Sequence, residues 1–258
     1  KLSQEDSSIG RVYNPWPLLS NSPVSAILVI CYKKIELFTP HSYVTMPEVQ
    51  KHGFIWEREL ATKVYGATEE ELEAIGYTAV HDLPLALNKL DSVNVSCKTS
   101  CAPNTVCMGD ALRLFDSVNS GEKLHATVVH YKQVGEEKHL TSIVQVDLTA
   151  SKELLFGTLN REQIEELDKL IKKVPQKCSP SVEEHSAMYT LRNTLKCPAI
   201  LLNIKCNSQQ SRLQCSFNGF QKFLSENPGR IISKSQGNIF RGQTIISVIK
   251  SSRRIFNK

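Results

Sequence analysis

At 258 residues, with 41% hydrophobic and 22% charged side chains, the chain can bury a real core and has the balance of a globular protein of one large or two small domains. Its longest apolar run, Val24 to Cys31, falls well short of the roughly 20 residues of a membrane span, so no membrane partner is expected. The net charge of +5 is unevenly spread: acids crowd Glu57 to Glu73 and Glu162 to Asp168, whereas Arg230 to Lys258 carries basic residues and no acid, which favours a polyanionic partner.

Lys1 to Gly10 is polar and lacks the apolar stretch of a secretory signal, and the chain opens on Lys rather than Met, as a chain with a preceding piece would. Residues 1–22, Pro-rich around Tyr13-Asn-Pro-Trp-Pro, predict an extended arm, and 23–258 a single α/β domain with a basic end at about 228–258. Pro23 to Leu37 is apolar on both phases and rich in β-branched residues, which predicts a buried strand. Thr45-Met-Pro-Glu48 marks a helix start by its T-x-x-E box and early proline, and the helix should run to Gly66. Gly53 and Glu57 share a face of it, and Glu57 is either a functional acid beside the space left by glycine or a partner of Arg58, Lys63 or another cation nearby.

Thr68 to Gly76 predicts a short second helix with Thr68 and Glu71 at its start. Two short strands follow, Thr78 to Asp82 and Val93 to Thr99, joined by a loop or short helix over Pro84 to Asp91. Alternation puts Ser96 and Lys98 on one side of the second. Asp110 reads as the cap of a helix. Leu124 to Val134 and Leu140 to Leu148 predict a hairpin turning at Gly135-Glu136-Glu137. Asn160 to Val174 is an amphipathic helix that should cover a sheet, and Ser181 to Leu195 another helix. Strands are expected over Ala199 to Cys206, Arg212 to Phe217 and Thr244 to Ile249, with a short helix over Asn218 to Ser225.

Of the eight cysteines, Cys31, Cys97, Cys206 and Cys215 fall in strand-like runs, where a free thiol packs as a small hydrophobe. A core-rich chain of this size needs no disulfides, so an intracellular reducing compartment, cytoplasm or nucleus, is expected. Cys97-x3-Cys101-x5-Cys107 lacks the CxxC and His spacing of a zinc site.

Glu57 on a helix, Asp82 at a strand end, and Ser96 and Lys98 on the next strand resemble the order of catalytic groups in the restriction-endonuclease-like, PD-(D/E)xK, nucleases. Gly53-Phe-Ile-Trp-Glu57 resembles the first-helix pattern, His81-Asp82-Leu-Pro84 the acid, Val95-Ser-Cys-Lys98 the lysine strand, and Asn104 to Asp110 the following loop and helix, so the likeness covers roughly residues 45 to 120. It implies a central mixed sheet flanked by helices, with extra strands and helices in the C-terminal half. It further implies a metal-dependent endonuclease acting on DNA, with Glu57 and Asp82 holding Mg²⁺, or Mn²⁺ in its place, and Lys98 as the catalytic lysine. Many such nucleases cut as homodimers.

The sequence departs from the pattern at Ser96, which stands where an acid is usual, so the resemblance requires Glu57 to supply the missing charge or implies a catalytically inactive nucleic-acid-binding domain. An α/β protein-interaction domain is the reading outside the family. Asp91 competes with Asp82 as the strand acid, His81 could assist, and Gln214 could touch substrate. Lys123, Lys132, Lys234, Arg241, Lys250, Arg253 and Arg254 are the candidate phosphate contacts.

Overall fold

A computed structural model describes residues 48–75, 80–206 and 211–250, with side chains from Gly53 onward. The N-terminal arm, the strand at Pro23 to Leu37, the Thr45 cap, and Arg253 and Arg254 lie outside the described residues. Those described belong to one compact unit.

Helix α1 (Glu48–Glu59) continues into a wider π turn at Leu60–Val64 and is followed by α2 (Glu69–Ile75). Thr68 and Glu71 close the expected capping box: the Glu71 N–H donates to Thr68 Oγ1 at 3.2 Å, and the Thr68 N–H to Glu71 Oε2 at 2.7 Å. The chain then passes through β1 (Asn94–Ser100), β2 (Thr105–Asp110), α3 (Ala111–Asn119), β3 (Leu124–Val134) and β4 (Glu137–Asp147). Next come α4 (Lys152–Phe156), α5 (Arg161–Lys172), α6 (Val182–Thr194), β5 (Ile200–Lys205), β6 (Arg212–Asn218) and α7 (Phe220–Glu226). Short strands close it: β7 (Ile231–Lys234), β8 (Ile239–Phe240), β9 (Gln243–Thr244) and β10 (Val248–Lys250).

The fold is mixed α/β, built on a mixed sheet flanked by helices. Its order is β1-β3-β4-β10, with β7 pairing the other half of β4. β1 and β3 are parallel, so the chain must cross over between them, and it does so through β2 and α3. β3 and β4 form the expected hairpin, closed by Gly135-Glu136 with Gly135 at φ 55°.

The C-terminal half differs from expectation in two ways, and Asn104 to Asp110, expected as a loop leading into a helix, is mostly strand β2. The extra strands of the C-terminal half do not simply extend the main sheet, because β5 and β6 join β2 in a second, antiparallel sheet ordered β2-β6-β5. The expected strand over Thr244 to Ile249 is split into β9, a tight hairpin partner of β8, and β10 on the main sheet.

Strand alternation divides the interior. Leu124, Ala126 and Val128 of β3 face a core shared with the second sheet, α3 and α5. Val129 and Ile143 face a second core with Trp56, Leu60 and Phe240. α3 buries Ala111, Leu114, Phe115 and Val118, an i, i+3, i+4, i+7 stripe started by Asp110, whose side chain accepts the Arg113 N–H at 2.9 Å. α5 buries Ile164, Leu167 and Ile171 behind an Asn160/Gln163 capping box, and Ser181 and Glu184 box the start of α6.

Candidate functional site

β1 is an edge of the main sheet, and its outward N–H groups need partners. The segment around Asp82 supplies them. Leu83 and Val95 exchange backbone hydrogen bonds of 3.0 and 2.8 Å, the Leu85 N–H donates to Asn94 Oδ1 at 2.8 Å, and the Cys97 N–H donates to Asp82 Oδ2 at 2.7 Å. Thr78 to Asp82 was expected as a strand, but Val80–Asp82 is a bend, and pairing is limited to the single bridge at Leu83. The aspartate is therefore placed by its carboxylate, which stands in for a backbone acceptor at the sheet edge.

That same oxygen carries two further donors. Lys98 Nζ donates to Asp82 Oδ2 at 2.7 Å, and Ser96 Oγ donates to the same oxygen at 3.2 Å. The Asp82 and Lys98 side chains retain 29% and 19% exposure, so the pair is accessible from outside without being fully solvated. Alternation thus brings Ser96 and Lys98 to one carboxylate, and Ser96 spends its hydroxyl there as a donor.

Glu57 approaches from α1. Burial, and then the charge of Asp82, push its carboxyl up to about 8, with Lys98 acting in the opposite sense. Burial works against the charged form of Lys98, but the charge and hydrogen bond of Asp82, with Glu57 behind them, outweigh it and hold the ammonium above its ordinary value. Neither cation considered as a rival partner for Glu57 takes that part: Arg58 pairs with Glu69 and Glu73, and Lys63 with Glu59 at 2.6 Å. The space beside Gly53 is used for packing, since a methyl group there would lie 3.6 Å from Thr99 Oγ1 of β1, an ordinary contact.

The other candidates are placed elsewhere. Asp91 binds Arg241 Nη2 at 2.6 Å, with side-chain exposures of 14% and 19%. Gln145 joins them by accepting from Arg241 Nη1 at 3.0 Å and donating to Asp91 Oδ2 at 3.1 Å. Its amide nitrogen also lies 2.9 Å from His125 Nδ1. Arg241, expected as a phosphate contact, thus has its guanidinium taken up inside the fold, and the acid that competed with Asp82 has a cation of its own. Lys123, Lys132, Lys234 and Lys250 are exposed. Asp110 is the helix cap described above, and Gln214, paired with it across β2 and β6, sits beside the Arg212 guanidinium. His81 Nε2 lies 2.9 Å from Glu122 Oε1. Sequence reasoning did not find Glu122 or the Cys97 N–H: no motif marks the first, and a backbone donor has no signature.

Among the described residues no group of three or more His, Cys, Asp or Glu side chains is placed to hold a metal ion, and the seven described cysteines are free thiols. The donor set at the site is two carboxylates against one ammonium, oxygen ligands with a net negative charge when all three are ionised. That chemistry fits a hard divalent cation and not a soft one. Comparison with protein-family models, with curated proteins and with solved structures returns no match for this chain.

Proposed function

We propose that the protein is a metal-dependent endodeoxyribonuclease on a restriction-endonuclease-like fold, with Glu57, Asp82 and Lys98 as its working groups. The reading rests on one observation: an acid from α1, an acid from the segment edging β1 and a lysine from β1 lie close enough to govern one another's charge. The crossover from β1 through α3 to the parallel β3 agrees with the expected central sheet.

Glu57 and Asp82 would hold Mg²⁺, or Mn²⁺ in its place. A cation so held lowers the pKa of a water and stabilises charge on a phosphate. Lys98, kept protonated by Asp82, offers a fixed positive charge to the scissile phosphate as it gains negative charge. Ser96 adds no charge, so Glu57 makes up the acid that the resemblance lacks there. The exposed lysines, Lys234 and Lys250 among them, would contact flanking phosphates. A homodimer would let two such sites cut both strands, and the free thiols suit an intracellular reducing compartment.

The second reading, a catalytically silent nucleic-acid-binding domain, is favoured by Asp82 Oδ2, which already accepts from Ser96, Cys97 and Lys98. Plasmid nicking in Mg²⁺ by wild type, Asp82→Ala and Lys98→Ala separates the two. Nicking by wild type alone supports the nuclease. DNA retention on a gel with no nicking by any of the three supports the silent binder, and absence of both leaves a protein-interaction domain.

A further inference from the structure

Asp82 belongs to no strand, yet both of its chain neighbours are anchored. On one side the backbone of Leu83, itself 1% exposed, is bonded to Val95 in both directions. On the other, His81 Nε2 lies 2.9 Å from Glu122 Oε1, with the two side chains 12% and 35% exposed. Glu122 stands in the turn between α3 and β3. That turn is tied in its own right to the sheet and to α3: the Lys123 carbonyl accepts the Asn94 N–H at 3.0 Å, and the Glu122 N–H donates at 3.4 Å to Ser120 Oγ, which itself donates to the Ser117 carbonyl of α3 at 3.0 Å. Glu122 Oε1 is buried, within ion-pair distance of His81 but out of line for a hydrogen bond, and no other described group satisfies it. A buried acceptor whose one close polar neighbour is the His81 ring ties that ring's position to its own.

We propose that Glu122, acting through His81, is a positioning residue that holds the Asp82 carboxylate against the Cys97 N–H and Lys98. The role in catalysis rests on the nuclease reading above; the role in geometry does not. Leu83 fixes the chain on one side of Asp82, where rotation would carry the carboxylate away from the sheet edge. With His81 fixed too, Asp82 is held on both sides. Displacement of a reacting group by about 1 Å is enough to cost two orders of magnitude in rate, so such an anchor matters to the site without touching substrate.

Amide hydrogen exchange on the metal-free full chain reads the geometry directly, because the Cys97 N–H is protected by Asp82 Oδ2 and by nothing in β3 that depends on Glu122. In Glu122→Ala, Cys97 exchange is expected to accelerate about three- to tenfold, while Val128 and Val129 on the neighbouring strand keep their wild-type rates. His81→Ala should reproduce the loss, and the double variant should go no further than either single one. If cleavage is present, Glu122→Ala should raise the Mg²⁺ concentration for half-maximal rate more than it lowers the rate at saturation. Unchanged Cys97 exchange in both alanine variants overturns the proposal, as does uniform acceleration across β1 and β3, which marks a merely structural contact. A chain that never nicks DNA but shows the exchange pattern loses the nuclease and keeps the anchor.

Discussion

Asp82 and Lys98 meet at 2.7 Å on the same carboxylate oxygen that accepts the Cys97 backbone N–H. One oxygen therefore does two jobs, finishing an exposed strand edge and fixing a lysine. The coupling has a consequence for stability: Lys98→Ala removes a cation that acts on two neighbouring carboxyls, and should cost about 1.5–3 kcal/mol, the range for a hydrogen bond to a charged group. Urea unfolding measures it. Lys98→Ala should also move Glu57 further upward, since Lys98 is the group that opposes the rise.

The pH dependence of stability follows from Glu57. Its folded-state value, raised from 4.5 to about 8, means that the native state binds the proton more tightly than the unfolded chain does. The contribution is fully present below about pH 4.5 and is lost as pH rises through about 8. The melting temperature of wild type should fall over that window more than that of Glu57→Gln, which cannot titrate. Millimolar Mg²⁺ should lessen the fall in wild type, the cation taking the place of the proton, and chelation should bring it back. Parallel curves for wild type and Glu57→Gln would remove Glu57 from a buried acidic pair.

Arg241 and the surface lysines, alike as basic residues in the sequence, should behave oppositely. Arg241→Ala strands Asp91, and a cost of about 3 kcal/mol is expected, the lower end of the range for breaking a buried pair because both side chains keep some exposure. Thermal or denaturant unfolding tests this. Its effect on DNA affinity should be no larger than the loss of folded protein explains.

Lys234→Ala with Lys250→Ala should leave unfolding unchanged, since both side chains are exposed. On the nuclease reading the pair weakens DNA binding and reduces the slope of log affinity against log salt by about 2, near one per lost phosphate contact. Unaltered binding isotherms at several salt concentrations would move the DNA surface elsewhere.

What could be read from the sequence was local. Thr68 and Asp110 cap helices where expected, because a cap is written within four residues, and the helices expected from Asn160 and Ser181 begin there. The β3–β4 hairpin was legible from alternation and a glycine turn. What was not legible depends on distant partners. β2 is a strand because β6 pairs with it from more than a hundred residues away, and Cys-Met-Gly-Asp alone suggests a loop. Arg241 reaches Asp91 across 150 positions, so one residue looked like a phosphate contact and the other like an open acid. The Asp82 segment was legible as an acid after apolar residues but not as a bend, since its shape comes from what the β1 edge requires.

Single-turnover plasmid cleavage in Mg²⁺ by Glu57→Gln against wild type decides whether Glu57 supplies the charge that Ser96 does not. Glu57→Gln is expected to lose about a hundredfold or more in rate, with DNA retention on a gel preserved. Cleavage by Glu57→Gln at the wild-type rate would contradict it.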